Sequence, residues 1–170
     1  RVFKQILAVV IILATVSPIY VNGMAETNEK HDVELWNALK PLSTTVTFLN
    51  TGAHPDDERS DFLAYLSRGL GVKTASLIAN RGEGGQNEIG SELGNALGII
   101  RSNEMIEAAK ITGVKAYHLS KEPSDAIYDF GFSKSPDETL EKWGEEITYE
   151  RLIRFIRTYK PDIVMPSFRN

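Results

Sequence analysis

The chain of 170 residues contains no cysteine, which excludes a disulfide frame, a thiolate metal site and a cysteine nucleophile at once. Any metal must therefore sit on His, Asp or Glu. An excess of positive charge is missing too. With 19 Lys+Arg against 23 Asp+Glu, a net charge of −4 and a pI near 5.4, the chain has no electrostatic footprint for phosphate backbones. A nucleic-acid binder would work against its own field, so no nucleic-acid partner is expected. Strongly biased composition is also absent. At 42% hydrophobic, 25% charged and 9% aromatic, the chain is close to a globular average, and collagenous, coiled-coil and wholly disordered readings fall away. Its length allows one domain, or one domain with a short appendage.

The start of the chain is not fold. Arg1 and Lys4 are the only early charges, Ile6 to Val16 is apolar apart from Thr15, and small residues cluster at Gly23-Met24-Ala25. A basic start, a short apolar run and a small-residue cleavage site make residues 1–25 a secretory signal peptide, cleaved after Gly23 or Ala25. A secreted or extracytoplasmic protein is expected, and the lack of cysteine is compatible with export. The run is too short to cross a bilayer. Residues 5–25 are nevertheless uncharged throughout, so an uncleaved membrane anchor is the other reading, weakened by Ser17, Pro18, Asn22 and Gly23.

Residues 26–43 read as an N-terminal extension. Glu26 to Lys30 is a polar linker, and Val33, Leu35, Trp36 and Leu39 form a short helical pattern that Pro41 stops. From residue 44 onward, strand and helix patterns alternate. Strands are expected over 44–51, 72–79, 114–119 and 162–168. Helices are expected over 56–68, 92–112 and around Tyr149, Leu152, Ile153 and Ile156, with Gly69 and Gly113 as terminators. Residues 120–144 carry breakers and aromatics and read as a long ordered loop rimming a site. The alternation implies an α/β fold, a three-layer Rossmann-like sandwich with a mostly parallel sheet and loops gathered at the strands' carboxyl ends.

Ala53-His54-Pro55-Asp56-Asp57-Glu58 falls between the first strand and the first helix, where open α/β sheets place their ligands. One imidazole and three carboxylates in five residues cannot all be buried unpaired, because isolated charges in an apolar interior cost several kcal/mol each. His54 and Asp57, three apart across a turn set by Pro55, can converge on one divalent cation, and Zn²⁺ suits mixed imidazole and carboxylate ligation. Asp56 is then the neighbour of the metal's water. The plainer alternative has the three acids decorating a helix N-terminus, where the macrodipole favours them by ~0.3–1 kcal/mol each, but it has no use for His54.

The six-residue string resembles the signature of the zinc-dependent N-acetylglucosaminyl deacetylases, the PIG-L/LmbE-like family that includes the GPI-precursor deacetylase and the mycothiol and bacillithiol pathway deacetylases. Arg81-Gly82-Glu83-Gly84-Gly85 looks like that family's glycine-rich loop, Arg101, Glu104, Ala108 and Gly113 like its R-x-x-E helix, and Pro161-Asp162-Ile163-Val164 like the strand before its last metal motif. The resemblance implies that His54 and Asp57 are zinc ligands and Asp56 the general base of a metal-dependent hydrolase, which removes an N-acetyl group from an N-acetylglucosamine-containing glycan or related small molecule. The family's third ligand comes from a later His-x-x-His motif, and the chain stops at Asn170 without one. A fragment incomplete at its carboxyl end is therefore expected, with the Ile163–Phe168 strand short of a neighbour. His31 and His118 read as surface or structural residues.

Arg81 is expected to face the same edge and bind a sugar hydroxyl or a charged group, with pairing to Glu83 or Glu88 as the equal alternative. Gly82, Gly84 and Gly85 permit turns; their spacing matches neither the P-loop nor the dinucleotide fingerprint. Arg101 is expected to pair with Glu104 on its own helix, although ordering of the Asp-rich loop is the second possibility. Two rival functions remain at this level: a nucleotide-binding domain, which leaves the His-Pro-Asp-Asp string without purpose, and an inactive or glycan-binding secreted module of the same fold.

Overall fold

The computed structural model describes residues 29–85, 87–133 and 135–167. The signal segment assigned to residues 1–25 lies outside the described residues. The chain divides into one unit up to Lys40 and a second from Pro41. In the first, helix α1 covers residues 29–39 and takes in Glu29 and Lys30, which the sequence places in a linker. Its Val33, Leu35, Trp36 and Leu39 are all exposed, and the Lys40 ammonium lies 5.7 Å over the Trp36 ring.

The second unit is built on a parallel sheet. Its strands are β1 (Thr47–Gly52), β2 (Lys73–Ile78), β3 (Lys115–His118) and β4 (Ile163–Pro166), in the order β3-β2-β1-β4. The two inner strands carry the fully buried residues Leu49, Asn50, Ala75, Leu77 and Ile78, the pattern of strands covered on both faces. One face packs Leu49, Ala75, Leu77 and Ala79 against Leu119, Ile127 and Trp143, and beneath Leu152, Phe155, Ile156 and Tyr159 of helix α5 (Glu145–Tyr159). On the other face, Phe48 meets Phe62 edge-on at 5.8 Å, and Leu63, Leu97 and Met105 are buried from helices α2 (Ser60–Ala64) and α3 (Asn95–Thr112). These are the three layers expected from the alternating pattern.

The strand order places the site. The chain leaves β1 for β2 and β3 on one side, then returns by α5 to lay β4 on the other side of β1. Open α/β sheets bind ligands beyond the carboxyl ends of the strands at such a reversal, here β1 and β4. Asp162 sets the register of the returning strand: its Oδ2 accepts from both the Thr47 N–H and the Thr47 hydroxyl at 2.8 Å. Buried Asn50 ties the two strands near their carboxyl ends by donating to the Met165 carbonyl (3.0 Å) and Ser167 Oγ (3.1 Å). Ile163 and Val164 are 50% and 45% exposed on this outer strand.

Four local expectations are corrected. The first helix starts at Ser60, not Asp56, and after Ala64 continues as a π-helical turn over Tyr65–Gly69. Gly69 is not a left-handed cap; the positive φ falls on Gly71, at 74°. Helix α3 starts at Asn95 rather than residue 92, after Gly94 at φ 60°. Within the supposed loop 120–144 lies an eight-residue helix, α4 (Pro136–Trp143), capped by the Ser135 hydroxyl, which accepts from the Glu138 N–H at 3.2 Å. Ser before Pro at the first helical position, with Glu three residues on, is a helix-start signal; reading the proline as a breaker hid it. The rest of that loop is ordered by α4, whose Trp143 indole N–H donates to the Tyr128 carbonyl at 2.6 Å and whose Lys142 ammonium donates to the Phe130 carbonyl at 2.6 Å.

His118 ends the edge strand β3 as a structural residue. Its Nδ1 lies 3.0 Å from the Asn80 carbonyl oxygen, which can only accept, so Nδ1 carries the proton. Burial, reinforced by the positive charge of Arg81, lowers its pKa to about 4. Between pH 6.5 and 4 the unfolded chain therefore takes up a proton that the folded one refuses, so stability is full above 6.5 and declines as the pH falls through this window. The decline amounts to about 3 kcal/mol. Urea midpoints of wild type and His118→Gln across this range should show the decline in the first and a flatter profile in the second; parallel profiles would remove His118 as the cause.

Candidate active site at the carboxyl end of β1

The loop after β1 is closed by its own carboxylate. Asp57 Oδ2 accepts from the backbone N–H groups of Ala53 (2.8 Å) and His54 (2.6 Å), while the Asp57 N–H donates to the His54 carbonyl at 3.2 Å. His54 Nδ1 stands 3.7 Å from the same oxygen. Burial pushes the Asp57 carboxyl up, but the His54 side chain and the two backbone donors outweigh it and hold the group below the usual carboxylate value. Gly52 is required beneath this turn, since a Cβ there would lie 2.9 Å from Asp57 Cβ and from Ile78 Cδ1, and 3.3 Å from Ser167 Oγ.

This geometry disposes of the helix-decoration alternative. Asp61 is the acid in the first turn of α2, while Asp56 and Asp57 belong to the loop. Asp56 has φ 115°, a left-handed conformation that costs a non-glycine residue of order 1–3 kcal/mol and survives only where its surroundings impose it. The surroundings are Glu58, whose Oε2 accepts from the Asp56 N–H at 3.0 Å, and Arg101, whose Nη2 pairs with Asp56 Oδ2 at 2.9 Å.

Of the two roles open to Arg101, the structure shows the second, ordering of the Asp-rich loop. Rather than lying on the helix surface against Glu104, its side chain is only 15% exposed. It donates to the Pro55 carbonyl at 2.6 Å and the Gly82 carbonyl at 3.3 Å, joining the loop after β1 to the loop after β2. The glycines of the second loop make room for it: a Cβ would fall 2.4 Å from Arg101 Nη1 at Gly82, whose φ is 76°, and 2.2 Å from it at Gly85.

Arg81 is also redirected. Its guanidinium donates to Ser102 Oγ and the Ser120 carbonyl, each at 3.1 Å, tying the β2 loop to α3 and β3. Glu83 accepts from the Arg81 backbone N–H at 3.1 Å and is buried; burial pushes its carboxyl up from the ordinary value.

Outside these loops lies an open cleft of about 850 Å³, reached by His54, Asp56 and Arg101 and bounded by Gly84 and Gly85, by Asn87 to Gly90 with Glu92, and by Asp129, Gly131 and Phe132. The His54 ring leans on Phe130, centroids 4.9 Å apart, and Phe130 meets Trp143 edge-on at 5.4 Å. The imidazole is therefore oriented from behind by the α4 loop. His54 Nδ1 and Asp57 Oδ2 stand 3.7 Å apart, one nitrogen and one carboxylate, donor types that suit zinc. Among the described residues no group of three His, Cys, Asp or Glu is placed to hold a metal ion, and His118 stands two strands away on β3.

Residues 49–170 match the family described as PIG-L: GlcNAc-PI de-N-acetylase, and the chain belongs to it. Among solved structures the fold is similar to that of an N,N'-diacetylchitobiose deacetylase from Pyrococcus horikoshii in complex with its inhibitor MPG, at 23% identity and a TM-score of 0.52, covering 77% of this chain and 48% of that one. The chain thus spans about half the length of that structure. Among curated proteins none matches.

Removing Arg101 tests the joining of the two loops. Arg101→Met should lower the unfolding free energy by about 2 kcal/mol, since charged donors leave two carbonyls, and should accelerate amide exchange selectively in residues 53–57 and 82–85. Exchange unchanged in both segments would show that they hold their shape without it.

Proposed function

We propose that the protein is a metal-dependent hydrolase that removes the acetyl group from an N-acetylglucosamine-type sugar, in the exported setting to which residues 1–25 point. The carrying observation is the pair His54 and Asp57, held together by the loop after β1, with His54 and Asp56 lining an open cleft, in a chain of this family. The amide carbon takes the oxygen of a water, the C–N bond breaks, and the products are acetate and a free amine. Asp56 accepts the water's proton and returns it to the departing nitrogen, the role a positioned carboxylate fills in general acid–base catalysis. The donor chemistry of His54 and Asp57 fits zinc, and such an ion supplies Lewis-acid polarisation of the acetyl carbonyl and acidifies water. Arg101 keeps the Asp56 carboxylate at the cleft, and Phe130 keeps the His54 ring turned toward it.

Two substitutions separate the roles. In the full chain Asp56→Asn should retain its metal and fold while kcat on an N-acetylglucosamine disaccharide falls by about 10²–10⁴, the usual general-base contribution; an unchanged kcat removes Asp56 from the chemistry. His54→Ala should lose zinc by elemental analysis, and full zinc content in that variant would assign the metal elsewhere. A second reading, a glycan-binding module without turnover, draws on the gathering of two metal donors rather than three among the described residues. It predicts glycan binding with no acetate release from wild type.

A further inference from the structure

We propose that the cleft selects an amino-sugar glycan already carrying a free amine beside its N-acetylated unit, and disfavours phosphate-bearing sugars; the proposal deepens the deacetylase reading and rests on it. Five carboxylates line the cleft, Asp56, Glu88, Glu92, Glu104 and Asp129, against one guanidinium, Arg101. That guanidinium is already engaged by Asp56 at 2.9 Å. No cation among the described residues pairs with the other four. A divalent cation at His54 and Asp57 adds two positive charges, of which Asp57 cancels one, so the cleft stays negative when loaded.

The cleft's dimensions make that charge felt. A sphere of about 850 Å³ is roughly 12 Å across, so its centre lies about 6 Å from the lining, well within the Debye length of ~10 Å at 0.1 M salt. An ammonium on the neighbouring sugar meets an attractive field throughout the cleft, and a phosphate meets repulsion, the arrangement by which charge chooses partners. A second feature, independent of charge, fits a sugar chain. Phe132, 99% exposed, lines the same cleft and offers a flat apolar face for the C–H side of a pyranose ring. That face also attracts an adjacent ammonium.

Equilibrium binding with three probes tests this, at a pH where the sugar amine is protonated and at low and high salt. The probes are the mono-N-acetylated glucosamine disaccharide (cationic), the di-N-acetylated disaccharide (neutral) and N-acetylglucosamine 1-phosphate (anionic). At low salt the cationic probe should bind about tenfold more tightly than the neutral one, with the phosphate weakest. High salt or the Glu88→Gln/Glu104→Gln double substitution should compress the order, whereas Phe132→Ala should weaken both disaccharides and leave their ratio intact. A phosphate probe that binds as well as the cationic one, or an order indifferent to salt, overturns the proposal. Binding in the expected order without acetate release overturns the deacetylase reading alone, and failure of all three probes to bind overturns both.

Discussion

A guanidinium reaches from the second turn of α3 across the carboxyl end of the sheet to the carbonyls of Pro55 and Gly82 and to the carboxylate of Asp56. The shape of the site depends on it. Neither loop it joins has regular structure to hold it, and glycines such as those at 82, 84 and 85 leave a segment with more conformational freedom to lose on ordering. Bonds from a charged donor are among the stronger ones available, and here one donor group serves both loops. The close approach of Gly82 and Gly85 to Arg101 shows the dependence from the other side: these glycines are there so that the guanidinium can be.

Within the first loop, Asp57 acts on a smaller scale. By accepting two backbone N–H groups, its Oδ2 fixes the turn that brings His54 back beside it. Hydrogen bonds of this kind hold a carboxylate in one orientation, and Asp57 takes its own from the loop it belongs to. His54 is held by a different contact, the Phe130 ring backed by Trp143. The two side chains are thus oriented by opposite sides of the fold, one by the β1 turn and the other by the loop that α4 anchors.

Much of this was legible from residues alone. Alternating strand and helix patterns predict the parallel sheet, and the string His54-Pro55-Asp56-Asp57 stands out because an imidazole has no part in decorating a helix start. What escaped was governed by distant partners. Arg101 and Pro55 are 46 positions apart, so nothing local distinguishes a clamp from an exposed helix arginine with a glutamate three residues on. Arg81 follows the same logic, because its acceptors Ser102 and Ser120 belong to later elements. The start of α2 was misplaced for a reason internal to the loop: the Asp57 side chain competes for backbone donors that a helix would have left free. The helix α4 is a different kind of miss, since Ser135, Pro136 and Glu138 carried its signal openly.

The pairing of β1 with β4 has a consequence for how the protein comes into being. Thr47 and Asp162, which lock those strands together, are separated by 115 positions, and the Asn50 bond to Met165 spans the same distance. Contacts this remote form late, because the entropy of closing a long loop is lost before the contact returns anything. While the chain is being synthesised, β1, β2 and β3 can associate as soon as they emerge, with His54 and Asp57 already in place on their loop. The edge of β1 away from β2 stays without a partner until β4 arrives. A nascent chain therefore shows the bare edge of β1 to its surroundings until residues 163–166 have been made and pair with it.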